Sequence, residues 1–151
     1  MISFASWEQT LELEGPMGVV TNPRCDVCLS MTDANEKLLG GVIYTNYLGA
    51  SIQIHITAIK PGFLTRTFLW FAFTYPFEQL KVTTLFGQVQ SDNKVALDLD
   101  RRLGFKEVLR IDGIYPTGQL VLLSMTRDEC RWLTPPPGVL RGEPDGQSKG
   151  S

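Results

Sequence analysis

Val89-Gln90-Ser91-Asp92-Asn93-Lys94-Val95-Ala96-Leu97-Asp98-Leu99-Asp100-Arg101-Arg102-Leu103-Gly104-Phe105 reads as the end of a strand, a turn and a helix marked at both ends. Ser91 or Asp92 offers the side-chain oxygen that accepts a first-turn amide and so opens the helix. Val95, Ala96, Leu99 and Leu103 recur at helical spacing along one apolar stripe. Gly104 suits the left-handed position that closes a helix, and Phe105 supplies the apolar contact that accompanies it. Before this stretch, Val82 to Val89 reads as a central strand.

Further upstream, Thr65 caps a helix from Arg66 toward Leu80, apolar on all sides over Phe68 to Phe73 and therefore covered on most of them. Pro76 has no N–H for the carbonyl of Ala72, which predicts a kink or a break. Lys60-Pro61-Gly62 ends a strand over Ser51 to Ile59, where Ile52, Ile54, Ile56 and Ala58 alternate with Gln53, His55 and Thr57. Val27 to Met31 and Leu38 to Tyr47 are two more strands around Asp33-Ala34-Asn35-Glu36, with Gly40-Gly41 as a bulge. Near the start, Ser6 and Gln9 form a capping pair for a short helix through Leu13, which Gly15-Pro16 ends; Met17 to Val20 follows as a short strand. Downstream, Phe105 to Tyr115 and Gln119 to Thr126 are strands around Pro116-Thr117-Gly118. From Val27 on, the order β-β-β-α-β-α-β-β with one crossover helix gives an α/β class fold, a mixed (α+β) sheet antiparallel at both ends.

With 151 residues, 43% hydrophobic and 20% charged, the chain holds one core and belongs with globular proteins. Residues 1–133 form that domain. Residues 134–151 carry four prolines and four glycines and read as an extended tail. Fourteen Lys and Arg against sixteen Asp and Glu leave a net charge of −2, with no basic footprint for nucleic acid or an anionic membrane. The run Phe68 to Phe73 is too short to span a bilayer, and no basic segment precedes an apolar one at the start, so neither a membrane span nor a signal peptide is expected. Cys25, Cys28 and Cys130 stand beside a single histidine, too few donors for a four-ligand zinc site. Val27-Cys28-Leu29 continues as strand, unlike a redox dithiol at a helix start, so no metal and no dithiol chemistry is expected.

Asn93, Ala96, Leu103, Gly104 and Phe105, after the strand ending at Val89, stand at the spacings N-x-x-A and x-x-L-G-F. They resemble the GNAT superfamily of acetyl-CoA-dependent N-acetyltransferases, and the order of elements agrees from about Val27 to Leu133. The closing segment Met125 to Leu133 resembles the short GNAT-like proteins of tailed bacteriophages. The resemblance implies a CoA pyrophosphate loop between the family's fourth strand and the helix after it, where glycines let backbone amides approach the anion. Here the loop is Ile59 to Arg66: Gly62 keeps one glycine, Leu64 replaces the second, and Pro61 lacks an N–H. Lys60, Gly62, Thr65 and Arg66, with Asn93, are the residues left to hold the cofactor. The other reading is a plain strand-to-helix turn capped by Thr65.

The family also needs a general acid for the departing thiolate, usually a tyrosine four residues before the closing glycine; Asp100 stands there instead. An ordinary carboxylate is ionised at pH 7 and donates no proton unless burial raises its pKa. Tyr115 is the substitute acid. His55, the one histidine, is either the base or a hydrogen-bonded structural residue. Only about 25 residues precede Val27, so the two helices that wall the family's amine groove are short or absent. These departures give a first reading in which the fold serves, without catalysis or cofactor, as a virion or head–tail assembly component, made in the host cytoplasm and then carried in the particle. Its partners would be other phage structural proteins or a second copy through the tail. The alternative is an active acetyl-CoA-dependent N-acetyltransferase acting on an amine.

Overall fold

A computed structural model describes residues 1–139. Seven strands, β1 (Ile2–Phe4), β2 (Val27–Thr32), β3 (Leu38–Thr45), β4 (Ser51–Ala58), β5 (Thr84–Gln90), β6 (Lys106–Ile111) and β7 (Leu120–Thr126), form one sheet in the order β1-β2-β3-β4-β5-β7-β6. Neighbours pair antiparallel except β4 with β5, which run parallel. The helices are α1 (Trp7–Met17), α2 (Arg66–Thr74) and α3 (Lys94–Leu103). The mixed sheet expected from the sequence is present, with α2 as the crossover.

Side-chain alternation divides the core. Leu29, Val42, Tyr44 and Ile54 point to one face and meet Phe68 and Phe73 of α2 and Leu97 and Leu103 of α3. Cys28 and Ile43 point to the other and meet Leu13 of α1. Gly40 and Gly41 let both layers approach. A Cβ on Gly40 would lie 2.6 Å from the Phe63 ring, and one on Gly41 would lie 2.6 Å from Leu13 Cδ1. They are not the bulge. The register shifts between Met31 and Thr32, which leaves Leu39 as the extra residue.

Other local expectations are corrected. Gly15-Pro16 does not end α1, because a proline so near the end forgoes one bond of a last turn; Gly18, in the left-handed region at φ 66°, closes it. No strand forms over Met17 to Val20. An unexpected short strand, β1, pairs instead with Leu29 to Met31. β6 stops at Ile111, and residues 112–115 join the following loop. At Pro76 the helix is not broken off. It widens into a π-turn over Tyr75–Gln79, and the buried Tyr44 hydroxyl donates to the Ala72 carbonyl that proline leaves without its usual partner.

After β7, Trp132 Nε1 donates to the Leu103 carbonyl at 2.8 Å, and the Arg131 guanidinium donates to the Arg102 carbonyl. These bonds satisfy carbonyls at the end of α3. Trp132 also stacks on Phe73, so this segment belongs to the domain core. Of the expected tail, Pro136 is buried, and residues 140–151 lie outside the described residues.

Candidate functional site

The parallel pairing of β4 and β5 is short: Ser51, Ile52 and Gln53 oppose Thr84, Leu85 and Phe86, and no pairs follow. Each strand keeps its antiparallel neighbour on the far side, so beyond Gln53 the edges of β4 and β5 that face each other lose their ladder partners. The splayed strands open a cleft of about 460 Å³. Ile54 to Ala58 line one wall, Gly87 to Gln90 another, and α3 a third. Because successive residues of β4 point to opposite faces, the cleft meets both layers: the end of α1 at Pro16 to Gly18 on one side, α3 on the other.

The stripe on α3 serves this cleft more than the core. Val95 is 81% exposed and, with Ala96, Leu99 and Asp100, faces the cavity, while Leu97 and Leu103 carry the core contact. Asn93, not Ser91 or Asp92, is the N-cap: its Oδ1 accepts from the Ala96 amide at 3.1 Å, leaving the Nδ2 amide for a ligand. Ser91 and Asp92 instead pin the β6–β7 loop. Ser91 Oγ accepts from the Gln119 amide at 2.8 Å, Thr117 Oγ1 donates to Asp92 at 2.9 Å, and Gln90 Nε2 donates to the Thr117 carbonyl at 2.7 Å. That clamp sets Tyr115 on the cleft wall.

His55 lies beside Ile43 on the α1 face of β4, its Nε2 3.0 Å from Thr45 Oγ1. Loss of water around the ring lowers its pKa to about 4, against a small opposing pull from Asp26, so the imidazole is neutral at pH 7. Asp100 is half-buried, and its carboxyl makes no hydrogen bond or ion pair with another described residue. Burial raises its pKa from 3.8 to about 7. Burial is the condition under which a carboxyl at this position can hold a proton near pH 7.

His55, Tyr115 and Asn93 therefore share one cleft with Asp100, while Lys60, Gly62, Thr65 and Arg66 do not line it. The chain leaves the cleft at Ala58 and leads directly to these four. Lys60 and Arg66 are exposed, Gly62 takes a left-handed φ of 84°, and Thr65 Oγ1 accepts from the Phe68 amide at 3.1 Å as the cap of α2. The arrangement suits a linear amide-bearing arm between two open strand edges, with two cations and a helix start beyond one end for a phosphate. On the α1 face of the sheet the cleft has one wall helix, α1, where the resemblance implies two.

No protein-family model matches the sequence, and no curated protein sequence does either. Solved structures do. The spermidine N-acetyltransferase of Vibrio cholerae in complex with CoA and spermine superposes with a TM-score of 0.60 at 19% identity, over 86% of this chain and 79% of that one. Mutant forms of the spermidine/spermine N-acetyltransferase of the same organism give 0.57 at 21% identity, over 82% and 78%. A chimera of the Vibrio cholerae enzyme gives 0.60 at 19%, over 82% and 81%. These likenesses show that the chain has the GNAT N-acetyltransferase fold.

Proposed function

We propose that this chain is an acetyl-CoA-dependent N-acetyltransferase acting on an amine. The observation that carries the reading is the cleft between β4 and β5, where open strand edges, an apolar helix face and a proton-exchanging carboxyl meet. When bound, acetyl-CoA supplies an activated thioester. The strand edges offer amide and carbonyl groups along the cofactor arm, Asn93 Nδ2 adds a donor, and Lys60 and Arg66 stand at the phosphate end.

His55 is held neutral and is a weak base, so it accepts a hydrogen bond from the amine or a water and orients it. As the C–N bond forms and the C–S bond breaks, the amine's proton leaves through water, and one proton returns from water to Asp100 after it has protonated the thiolate. Asp100 supplies the acid. A departing alkyl thiolate has a proton affinity near that of cysteine, pKa about 8.5, so a carboxyl poised at about 7 transfers its proton downhill. Tyr115 is a second hydroxyl donor on the same wall. The assembly reading, with no cofactor, leaned on the altered phosphate loop, the shortened acceptor wall and the tail as well as on position 100; a buried Asp100 with a raised pKa weakens the last of these arguments. Self-association, or docking of other virion proteins, through residues 134–151 stays a separate proposal, tested by whether a chain ending at Leu133 elutes smaller than the whole chain by more than its lost mass.

The cofactor test is a thermal melt with acetyl-CoA, followed by acetylation of a panel of amines that includes spermidine. At a hundredfold over its dissociation constant the ligand adds about 2.7 kcal/mol, which raises the midpoint of a domain this size by roughly 5–10 °C. A midpoint unmoved by millimolar acetyl-CoA overturns the proposal.

A further inference from the structure

Gly87 is the first residue of β5 beyond its last pair with β4, so it lies in the cleft where the two strands begin to part. Glycine weakens a strand interior, because it loses more freedom on folding than other residues and packs nothing. Neither backbone nor packing calls for one here. Its φ is not positive, and a Cβ built on it would meet only the Ile54 carbonyl oxygen, at 3.7 Å, an ordinary contact. Gly40 and Gly41 differ, since a Cβ on either would lie 2.6 Å from a neighbouring side chain. Gly87 is nonetheless buried, and apart from its two chain neighbours no side chain comes within 4 Å of that Cβ position.

The unfilled position opens toward α3. Side chains alternate along a strand, and Gly87 pairs with Leu123, which belongs to the core on the α2 and α3 face. Because β5 and β6 both run antiparallel to β7, α3 between them leads the chain back along β5. The seven residues of helix from Asn93 to Asp100 cover about 10 Å, and the three residues of strand from Gln90 back to Gly87 cover about the same. Asp100, the proposed acid, therefore stands level with Gly87 across the cleft. Ile54, Ile56, Val89, Leu99 and Phe105 make the same half of the cleft apolar.

We infer that the missing side chain at Gly87 makes an acyl pocket, and that the thioester this chain prefers carries a straight acyl chain longer than acetyl, of the butyryl class. The inference rests on the acetyltransferase reading and deepens it. A sulfur within proton reach of Asp100 has its acyl group beside position 87, where an apolar chain gains the contacts that a strand glycine forgoes. The bonds made and broken stay the same. The amine nitrogen bonds the acyl carbon as the C–S bond breaks, and the thiolate takes the Asp100 proton. Two further methylenes buried among apolar side chains tighten binding about tenfold.

The test reads binding, not turnover: calorimetry of the full chain with CoA, acetyl-CoA and butyryl-CoA. Butyryl-CoA bound about tenfold more tightly than acetyl-CoA is the expected result. Gly87→Ala meets no neighbour closer than 3.7 Å and should melt at or above the parent, while its preference for butyryl-CoA narrows. Gly87→Val removes or reverses that preference; if the valine variant does not fold, the alanine variant decides alone. Butyryl-CoA no tighter than acetyl-CoA, a preference unmoved by Gly87→Ala, or an equal loss for CoA and both thioesters overturns the pocket. Each of these leaves the acetyltransferase reading standing. Binding of none of the three overturns both.

Discussion

Replacing Asp100 by asparagine should make the protein more stable and the proposed acetyl transfer slower, and the stability gain should depend on pH in a defined direction. Burial lifts the carboxyl from 3.8 to about 7, which amounts to about 4 kcal/mol of penalty for holding it ionised in the folded state. A raised carboxylate pKa means that the folded state holds its proton more tightly than the unfolded chain does. The favourable contribution is thus complete below pH 3.8 and is lost as pH rises toward 7. Asp100→Asn removes that ionisation but leaves a half-buried amide, which takes back about 1–2 kcal/mol. The variant should match or trail the parent at pH 4 and melt roughly 5–10 °C above it at pH 8. His55 runs the other way. With its pKa lowered from 6.5 to about 4, it contributes about 3 kcal/mol above pH 6.5 that is lost on acidification through pH 4. The two opposed trends nearly cancel between pH 4 and 6.5, so the difference between variant and parent is the quantity to plot. Turnover should fall about 10²- to 10⁴-fold. A melting difference that stays constant from pH 4 to 8 refutes the buried-carboxyl argument, and unchanged turnover refutes its role as acid.

The single histidine makes its ring resonances unambiguous, and they should show no protonation on acidification from pH 7 to 5; a midpoint near 6.5 would contradict the desolvated setting. Tyr44→Phe leaves the Ala72 carbonyl without its donor in a dry core, and should lower stability by about 1–3 kcal/mol in denaturant unfolding. Gly41→Ala drives a methyl against Leu13 and, at 2.8 Å, the Leu29 carbonyl, and should destabilise by about 1–3 kcal/mol or more. An unperturbed denaturant midpoint would mean that α1 yields without loss.

Regular periodicity made most of the fold legible. The strict alternation over Ser51 to Ile59 and the marked ends of the helix closing at Gly104 gave elements that survive with small shifts of boundary. Short features without a period were hidden. β1 has three residues and exists through pairing with β2, a contact across nearly thirty positions that local propensity does not register. The α3 stripe was visible, but periodicity reports apolarity, not what lies opposite, so it did not reveal that Val95 walls a cavity. Asp100 was read by residue type alone. Its chemistry depends on water being excluded around it, which is a property of packing. Tyr115 came to the cleft through the Ser91–Asp92 clamp, a set of bonds between segments far apart in the chain.

The hydrogen bonds from Arg131 and Trp132 to the last turn of α3 have a consequence for biosynthesis. The wall that carries Asp100 is fastened by residues translated about thirty codons after it. A nascent or prematurely terminated chain can pair its first four strands and dock α1, yet the last turn of one cleft wall, α3, lacks the bonds from Arg131 and Trp132 until that segment packs. A polypeptide cut short between Thr126 and Arg131 would keep every strand of the sheet while losing the fastening of the helix on which the proposed chemistry depends.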